Sequence, residues 1–258
     1  MTPEQRREQI VALIRNDGRA SVEALADGVG ASRETVRRDL AELDSRGLVR
    51  KVHGGAVTIE PGLAGAGREG PFASRLLQNV GAKRAIAAAA RRLISPGDSL
   101  FIDTGSTTLL FAEELANIAG LTVITNSAAI AALAAKAADS QVFMLGGSYR
   151  RGGQETVGEL AIEQVRQFRA THAFLTVGAV SIAGFMDFDL AEAQVARAMA
   201  RQAGEVTVLA DASKMGCTGV FEIGPLGLAR RLVSDAVPAE LREAAGAAGV
   251  EIVDAAID

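Results

Sequence analysis

The sequence predicts an α/β protein: a small amino-terminal winged helix-turn-helix domain, then a larger α/β domain with a mostly parallel sheet. Three observations lead there. The stretch Pro61 to Pro71 packs four glycines and two prolines into eleven residues. No helix or strand tolerates that density, so it reads as a linker. Ahead of it lie three short helical patterns and a basic, glycine-bearing tail. Beyond it, short apolar runs alternate with helical patterns. The expected division is residues 1–58 for the first domain, 59–72 for the linker and 73–258 for the second domain.

The bulk composition is that of an ordinary globular chain. Of 258 residues, 48% are hydrophobic and 22% charged, and the net charge is −4. The chain is therefore no uniformly basic nucleic-acid coat, although a local basic surface stays compatible with DNA binding. Cys217 is the single cysteine, which excludes an internal disulfide and a cysteine-based zinc cluster. The start, Met1 to Gln9, is polar and charged and unlike a signal peptide. The apolar run Ala85–Ala90, bracketed by Lys83/Arg84 and Arg91/Arg92, is too short to cross a bilayer. A cytoplasmic location without membrane contact is expected.

In the first domain, Ile10, Leu13 and Ile14 share a helical face that ends at Asp17-Gly18. A second helix opens at Ser21, a good N-cap, and turns Val22, Leu25 and Val29 inward. Gly28 and Gly30 mark a tight turn. A third helix opens at Ser32, buries Val36, Leu40 and Leu43, and closes at Arg46-Gly47. Two short helices joined by a glycine-containing turn form the helix-turn-helix pattern.

The third helix carries the chemistry. Arg37 and Arg38 project away from its apolar face, with Ser32, Arg33 and Thr35 near its start. Arginine holds guanine bidentately, and short hydroxyls reach base edges or phosphates. Arg50, Lys51 and His53 then precede Gly54-Gly55, a turn that suits a wing reaching phosphates. A solvated helix whose arginines pair with Glu34, Asp39 and Glu42 accounts for this one helix nearly as well. The turn, wing and linker together favour double-stranded DNA as the partner.

In the second domain, strands are expected at 99–103, 121–125, 141–145, 173–177, 206–210, 231–234 and 250–253. Helices are expected at 107–118, 128–137, 159–168, 190–203 and 239–247. The strands are continuous apolar runs, as a parallel sheet covered on both faces requires. Asp103-Thr104-Gly105-Ser106-Thr107-Thr108 follows the first strand and opens a helix. Backbone N–H groups, hydroxyls and the helix dipole there make an anion site, and Asp103 is placed to accept sugar hydroxyls. Thr125-Asn126 ends the second strand and Gly146-Gly147 the third. Each alone reads as a turn. Together they lie along one carboxyl edge, where ligands of open α/β sheets bind. Lys214, in a strand-end loop, is of the type that neutralises a phosphate, and is otherwise an ordinary surface lysine.

The stretch Ala31-Ser-Arg-Glu-Thr-Val-Arg-Arg-Asp-Leu-Ala-Glu-Leu-Asp-Ser-Arg-Gly-Leu-Val-Arg-Lys-Val-His-Gly-Gly-Ala56 closely resembles the signature of the DeoR family of bacterial repressors. The context Asp211-Ala-Ser-Lys-Met-Gly216 resembles that family's sensor domain. The resemblance covers nearly the whole chain. It implies repression of a sugar or polyol catabolic operon, relieved by a phosphorylated intermediate, with no cofactor and with assembly as a dimer or tetramer. It also implies a second domain related in fold to ribose-5-phosphate isomerase and glucosamine-6-phosphate deaminase. Asp103, Gly105, Ser106, Thr107 and Thr108 would hold the effector, and Asn126, Glu192 and Lys214 would line the same site. Two positions depart from the pattern: Gly178–Ile182 lacks an Asp-Gly loop, and Met186 stands where a threonine is expected.

Two other classes compete. A sugar-phosphate isomerase needs a general base and often a second proton shuttle. Asp103 or Glu192 could be the base, but no paired acid is evident, and His172 before an apolar strand reads as structural. A nucleotide-sensing regulator needs Gly-x-Gly-x-x-Gly between strand and helix. Gly146-Gly147-Ser-Tyr-Arg-Arg-Gly152-Gly153 has the wrong spacing.

Overall fold

A computed structural model describes residues 2–17, 19–45, 48–52, 54–57 and 71–255. The contacts divide the chain into two compact units: Met1–Ala64 with Ala73–Arg75, and Gly65–Phe72 with Leu76–Asp258. Most of the expected linker, the Arg46-Gly47 helix end and His53 lie outside the described residues.

The smaller unit runs α1 (Pro3–Asp17), β1 (Arg19–Ser21), α2 (Val22–Val29), α3 (Arg33–Ser45), β2 (Arg50–Val52) and β3 (Gly55–Val57). The Ser21 side chain caps α2 by accepting from the Ala24 N–H at 3.1 Å. Gly30 stops α2 in the left-handed region, at φ 62°, where a glycine pays no Cβ penalty. Ser32 caps α3 through the Thr35 N–H at 3.1 Å. Ile10, Ile14, Leu25, Val36, Leu40 and Leu43 close a single apolar core among the three helices. The wing is a hairpin of β2 and β3, and β1 adds to its other side in the order β1-β3-β2. That third strand has no counterpart in the sequence reading, since three residues show no period.

Asp39 ties α3 to α1. It is 3% exposed and accepts from Arg6 Nε at 2.6 Å and Arg7 Nε at 3.0 Å. Burial works to raise its pKa, but the hydrogen bonds and charges of Arg6 and Arg7 outweigh it and hold the carboxyl below its usual value. Asp39 therefore belongs to the core of the unit rather than to the exposed arginines of its own helix.

Phe72–Arg75 forms one helical turn, α4. The larger unit then runs α5 (Val80–Arg91), β4 (Ser99–Ile102), α6 (Ser106–Glu114), β5 (Thr122–Thr125), α7 (Ala128–Ala134), β6 (Gln141–Met144), β7 (Ser148–Arg150) and β8 (Glu155–Val157). After these come α8 (Glu159–Val165), β9 (Ala170–Thr176), β10 (Ala179–Ser181), β11 (Gly184–Asp187), α9 (Leu190–Gln202) and β12 (Ala203–Leu209). The last elements are β13 (Phe221–Gly224), β14 (Arg231–Ser234), α10 (Ala239–Ala247) and β15 (Glu251–Asp254). Seven strands form one sheet in the order β15-β14-β12-β9-β4-β5-β6, with every pair parallel. These are the seven strands the apolar runs predicted.

The runs are continuous because each strand feeds two cores. Leu100, Ile102, Val123 and Phe174 face α5, α6 and α7. Their neighbours Phe101, Ile124, Ala173 and Leu175 face α8, α9 and α10. Helix α5 was not among the expected elements. Two small additions were also unforeseen: the antiparallel pair β7–β8, and a three-stranded sheet β10-β11-β13. The strand order places the reversal of winding between β4 and β9, and open α/β sheets bind ligands in the crevice at such a point.

Replacing Asp39 with Asn is expected to lower the melting temperature of the smaller unit at pH 7 by about 5 °C. Because the folded pKa is depressed, the carboxylate's contribution is complete above its unfolded value near ~3.9 and vanishes as pH falls through the lower folded value. Thermal melts by circular dichroism from pH 7 to pH 3 should therefore converge for the two proteins at the acid end.

Candidate functional site

Two surfaces carry chemistry, one in each unit. In the smaller unit, α3 presents Arg33, Glu34, Arg37 and Arg38 to solvent. Glu34 pairs with Arg37 at 3.9 Å and with Arg38 at 3.6 Å, and Glu23 pairs with Arg33 at 3.7 Å. Side-chain exposures run from 50% to 81%, so these pairs are loose and contribute little to stability. The arginines stay available to a stronger anion. The Ser32 and Thr35 hydroxyls lie 2.8 Å apart at the start of the helix. On the wing, Lys51 is exposed, and its N–H donates to Asp44 Oδ1 at 2.8 Å, fastening β2 to α3. Arg50 opens β2. Gly55 is pressed so close to Ala20 that a Cβ would lie 2.2 Å from the Ala20 carbonyl.

In the larger unit, a shallow cleft open to solvent lies at the carboxyl ends of the central strands. It is lined by Asp103, Thr104, Asn126, Glu155, Thr176, Asp187, Glu192, Val195 and Ala196. Asp103 follows β4 and Thr176 ends β9, so the cleft straddles the switch point. The Thr176 N–H donates to both Asp103 oxygens, at 3.0 and 2.9 Å. Thr104 Oγ1 donates to Asn126 Oδ1 at 3.0 Å, and Asn126 Nδ2 donates to the Thr156 carbonyl at 3.1 Å. Burial pushes the Asp103 carboxyl well above its ordinary pKa. The Thr176 N–H works against that shift, and the negative charges of Asp187 and Glu192 add to it.

The expected effector residues separate into groups. Asp103, Thr104, Asn126 and Glu192 line the cleft. Gly105 caps the adjoining α6, and no side chain caps that helix. Ser106, Thr107 and Thr108 form its first turn and are buried. Thr125 Oγ1 accepts from the Ser127 N–H at 3.1 Å, so it shapes the turn. The Gly146 N–H donates to Gln164 Oε1 at 2.9 Å. Gly147, at φ 145°, packs where a Cβ would lie 2.6 Å from the Val157 carbonyl. Neither glycine lines the cleft. Lys214 is half-buried in a 3-10 turn, Ala212–Lys214, opened by Asp211, and is not among the lining residues.

The sequence reading missed Glu155, Thr176, Asp187 and Arg150. Arg150 and Glu155 sit directly opposite each other across β7–β8. A Gly152-Gly153 turn between opposite charges at matching positions is a hairpin signal that could have found both. Arg150 bridges Glu155, Asp189 at 2.6 Å and Glu192 at 2.5 Å. Burial works against its cation, and Glu155 chiefly outweighs it, keeping Arg150 protonated more firmly than usual. Of the two departures noted in the sequence, Met186 is half-buried on β11, paired with Ala179, and its neighbour Asp187 reaches the cleft.

A helix-turn-helix unit joined to an α/β unit with a cleft at its switch point defines a two-part, ligand-sensing DNA-binding regulator. Residues 6–61 match the model of the DeoR-like helix-turn-helix domain, and residues 78–236 match that of the DeoR C terminal sensor domain. The HTH-type transcriptional regulator GlpR of Haloferax volcanii is 32% identical over 98% of both chains. The glycerol-3-phosphate regulon repressor of Escherichia coli is 28% identical over 92% of this chain and 93% of its own. Among solved structures, ribose 5-phosphate isomerase A from Neisseria gonorrhoeae aligns at a TM-score of 0.38 and 19% identity, over 52% of this chain and 53% of that one. The chain belongs to the DeoR family of transcription repressors. These relatives are regulators rather than enzymes, and the isomerase alternative falls accordingly. No helix among the described residues is long and apolar enough to cross a membrane.

Two substitutions test the cleft. A Cβ at Gly105 would meet Thr176 Oγ1 at 2.2 Å, so Gly105→Ala must displace the side chain beside Asp103. Urea denaturation should show a loss of about 1–3 kcal/mol, the range for overpacking. Asp103 titrates in the opposite sense to Asp39. An acid whose folded pKa is raised costs stability as pH climbs from its unfolded value to its folded one. Asp103→Asn should therefore flatten the decline in stability above pH 4 in urea melts run across that range.

Proposed function

We propose that this repressor controls a sugar or polyol catabolic operon and leaves its operator when a phosphorylated intermediate occupies the cleft between β4 and β9. The observation that carries the reading is the pairing of two chemistries at one place. Carboxylates and the Asn126 amide are acceptors and donors for sugar hydroxyls. Beside them the first turn of α6, uncapped by any side chain, offers N–H groups and a favourable dipole to a phosphate. Ser106, Thr107 and Thr108 form that turn, and Lys214, which is not among the lining residues, would have to turn towards the cleft to supply charge. One relative is named for a regulon of glycerol 3-phosphate, a phosphorylated polyol.

On the DNA side, α3 enters the major groove with Arg37 and Arg38 leading, and Ser32, Arg33 and Thr35 support them at its start. Arg50, Lys51 and His53 on the wing hold phosphates. The loose pairs with Glu34 and Glu23 give way to DNA. The protein acts as a dimer or tetramer, whose symmetry matches paired operator half-sites. The effector binds one arrangement of the assembly more tightly than the other and so draws it off the operator.

Fluorescence anisotropy with DNA from upstream of its own and neighbouring genes, at fixed salt, tests this. Specific binding that a phosphorylated sugar weakens, and its unphosphorylated form does not, is the expected result. Binding with no preference over scrambled DNA would sink the operator assignment. Indifference to every sugar phosphate would sink the effector. Arg38→Ala should weaken specific binding by about tenfold to a hundredfold. Lys51→Ala should weaken all sequences alike and lower the salt slope by about 1.

A further inference from the structure

The lining of the cleft creates a problem for an anionic ligand. Among the described residues it contains four carboxylates, Asp103, Glu155, Asp187 and Glu192, and no cationic side chain. A phosphate brought against such a wall is repelled unless a cation turns towards it. Arg150 is placed to do so. Its guanidinium contacts two of those carboxylates, Glu155 and Glu192, and also Asp189.

The three partners are not equivalent. Glu155 is 2% exposed, stands opposite Arg150 across the hairpin and lies 3.5 Å from Asn126 Nδ2. It is a fixed seat. Asp189 and Glu192 are 41% and 22% exposed, and both belong to the start of α9, a different element from the hairpin. The Arg150 side chain is itself 28% exposed, while no protein acceptor reaches its buried Nε. A guanidinium is a planar fork of donors that suits phosphate bidentately.

We propose that Arg150 recognises the phosphate of the effector and so sets the preference for phosphorylated over unphosphorylated ligands. It keeps Glu155 as its anchor and exchanges its bridges to Asp189 and Glu192 for the ligand. The exchange uncouples the β7–β8 hairpin from α9, which lets ligand-free and ligand-bound forms differ in the packing of these two elements. The assignment rests on the phosphorylated-effector reading above.

The test is calorimetric titration of the whole chain with glycerol 3-phosphate, fructose 1-phosphate, fructose 6-phosphate, ribose 5-phosphate and glucosamine 6-phosphate, each beside its unphosphorylated form. Arg150→Gln leaves Glu155 buried without its cation and can cost folding. The double variant Arg150→Gln/Glu155→Gln, which removes both charges together, is therefore measured too. Whichever phosphorylated compound binds the wild type should lose at least about tenfold in affinity in both variants, a larger loss than its unphosphorylated form suffers. Arg150→Lys should recover part of the loss. Asp189→Asn keeps an oxygen to cap α9 but removes a competing charge, and should tighten the phosphorylated compound several-fold. Wild-type affinity in the double variant would overturn the role of Arg150 and leave the effector reading standing. A wild type that binds none of the five would overturn both.

Discussion

The arrangement of the larger unit depends on a carboxylate buried where the sheet reverses its winding. Strands on either side of β4 and β9 lead their connections to opposite faces, so a crevice opens between the two strand ends. Asp103 sits in that crevice, and the Thr176 backbone N–H holds both its oxygens. From there the bonds run outward. Thr104 holds Asn126 at the end of β5, and Asn126 holds the Thr156 carbonyl on β8. Thr156 Oγ1 then donates to the Leu145 carbonyl just after β6 at 2.6 Å. One connected network ties together the ends of five strands, and fixed polar groups are what a selective small-molecule site requires.

The same network is costly in charge. Asp103 is buried beside the negative charges of Asp187 and Glu192 and holds its proton more tightly, chiefly because of that burial. Such a surface suits the hydroxyls of a polyol and opposes its phosphate. On the proposed reading, the two halves of a phosphorylated ligand need different neighbours: carboxylates and amide for the hydroxyls, helix terminus and arginine for the phosphate. Burial of Glu155 makes sense on this view, because a buried carboxylate can position a guanidinium without competing for the ligand from solvent.

The smaller unit solves a different problem, how to keep a helix rigid while leaving its arginines free. The apolar face of α3 and the buried Asp39 bind it to α1 and α2. Its outer face carries arginines held only by exposed glutamates, and such pairs are weak enough to be replaced by phosphate or guanine. Rigidity comes from the inward side of one thirteen-residue helix, and its outward side is the one proposed to meet DNA.

Sequence alone determined what periodicity and punctuation can encode. Seven apolar runs identified seven parallel strands, Ser21 and Ser32 marked two helix starts, and Gly54-Gly55 marked the wing. Asp103, Thr104 and Asn126 were legible as strand-end residues, because a parallel sheet brings all its carboxyl ends to one edge whatever the strand order. Tertiary structure decided the rest. The order β15-β14-β12-β9-β4-β5-β6, which alone makes Thr176 the partner of Asp103, depends on how the helices pack. Glu155 comes to the cleft, and Arg150 to Glu155, through a hairpin of two three-residue strands, too short for any period. The partners of Asp39 lie 32 and 33 residues away. In each case the deciding interaction joins residues far apart in the chain, and a local pattern carries no record of which distant group will meet it.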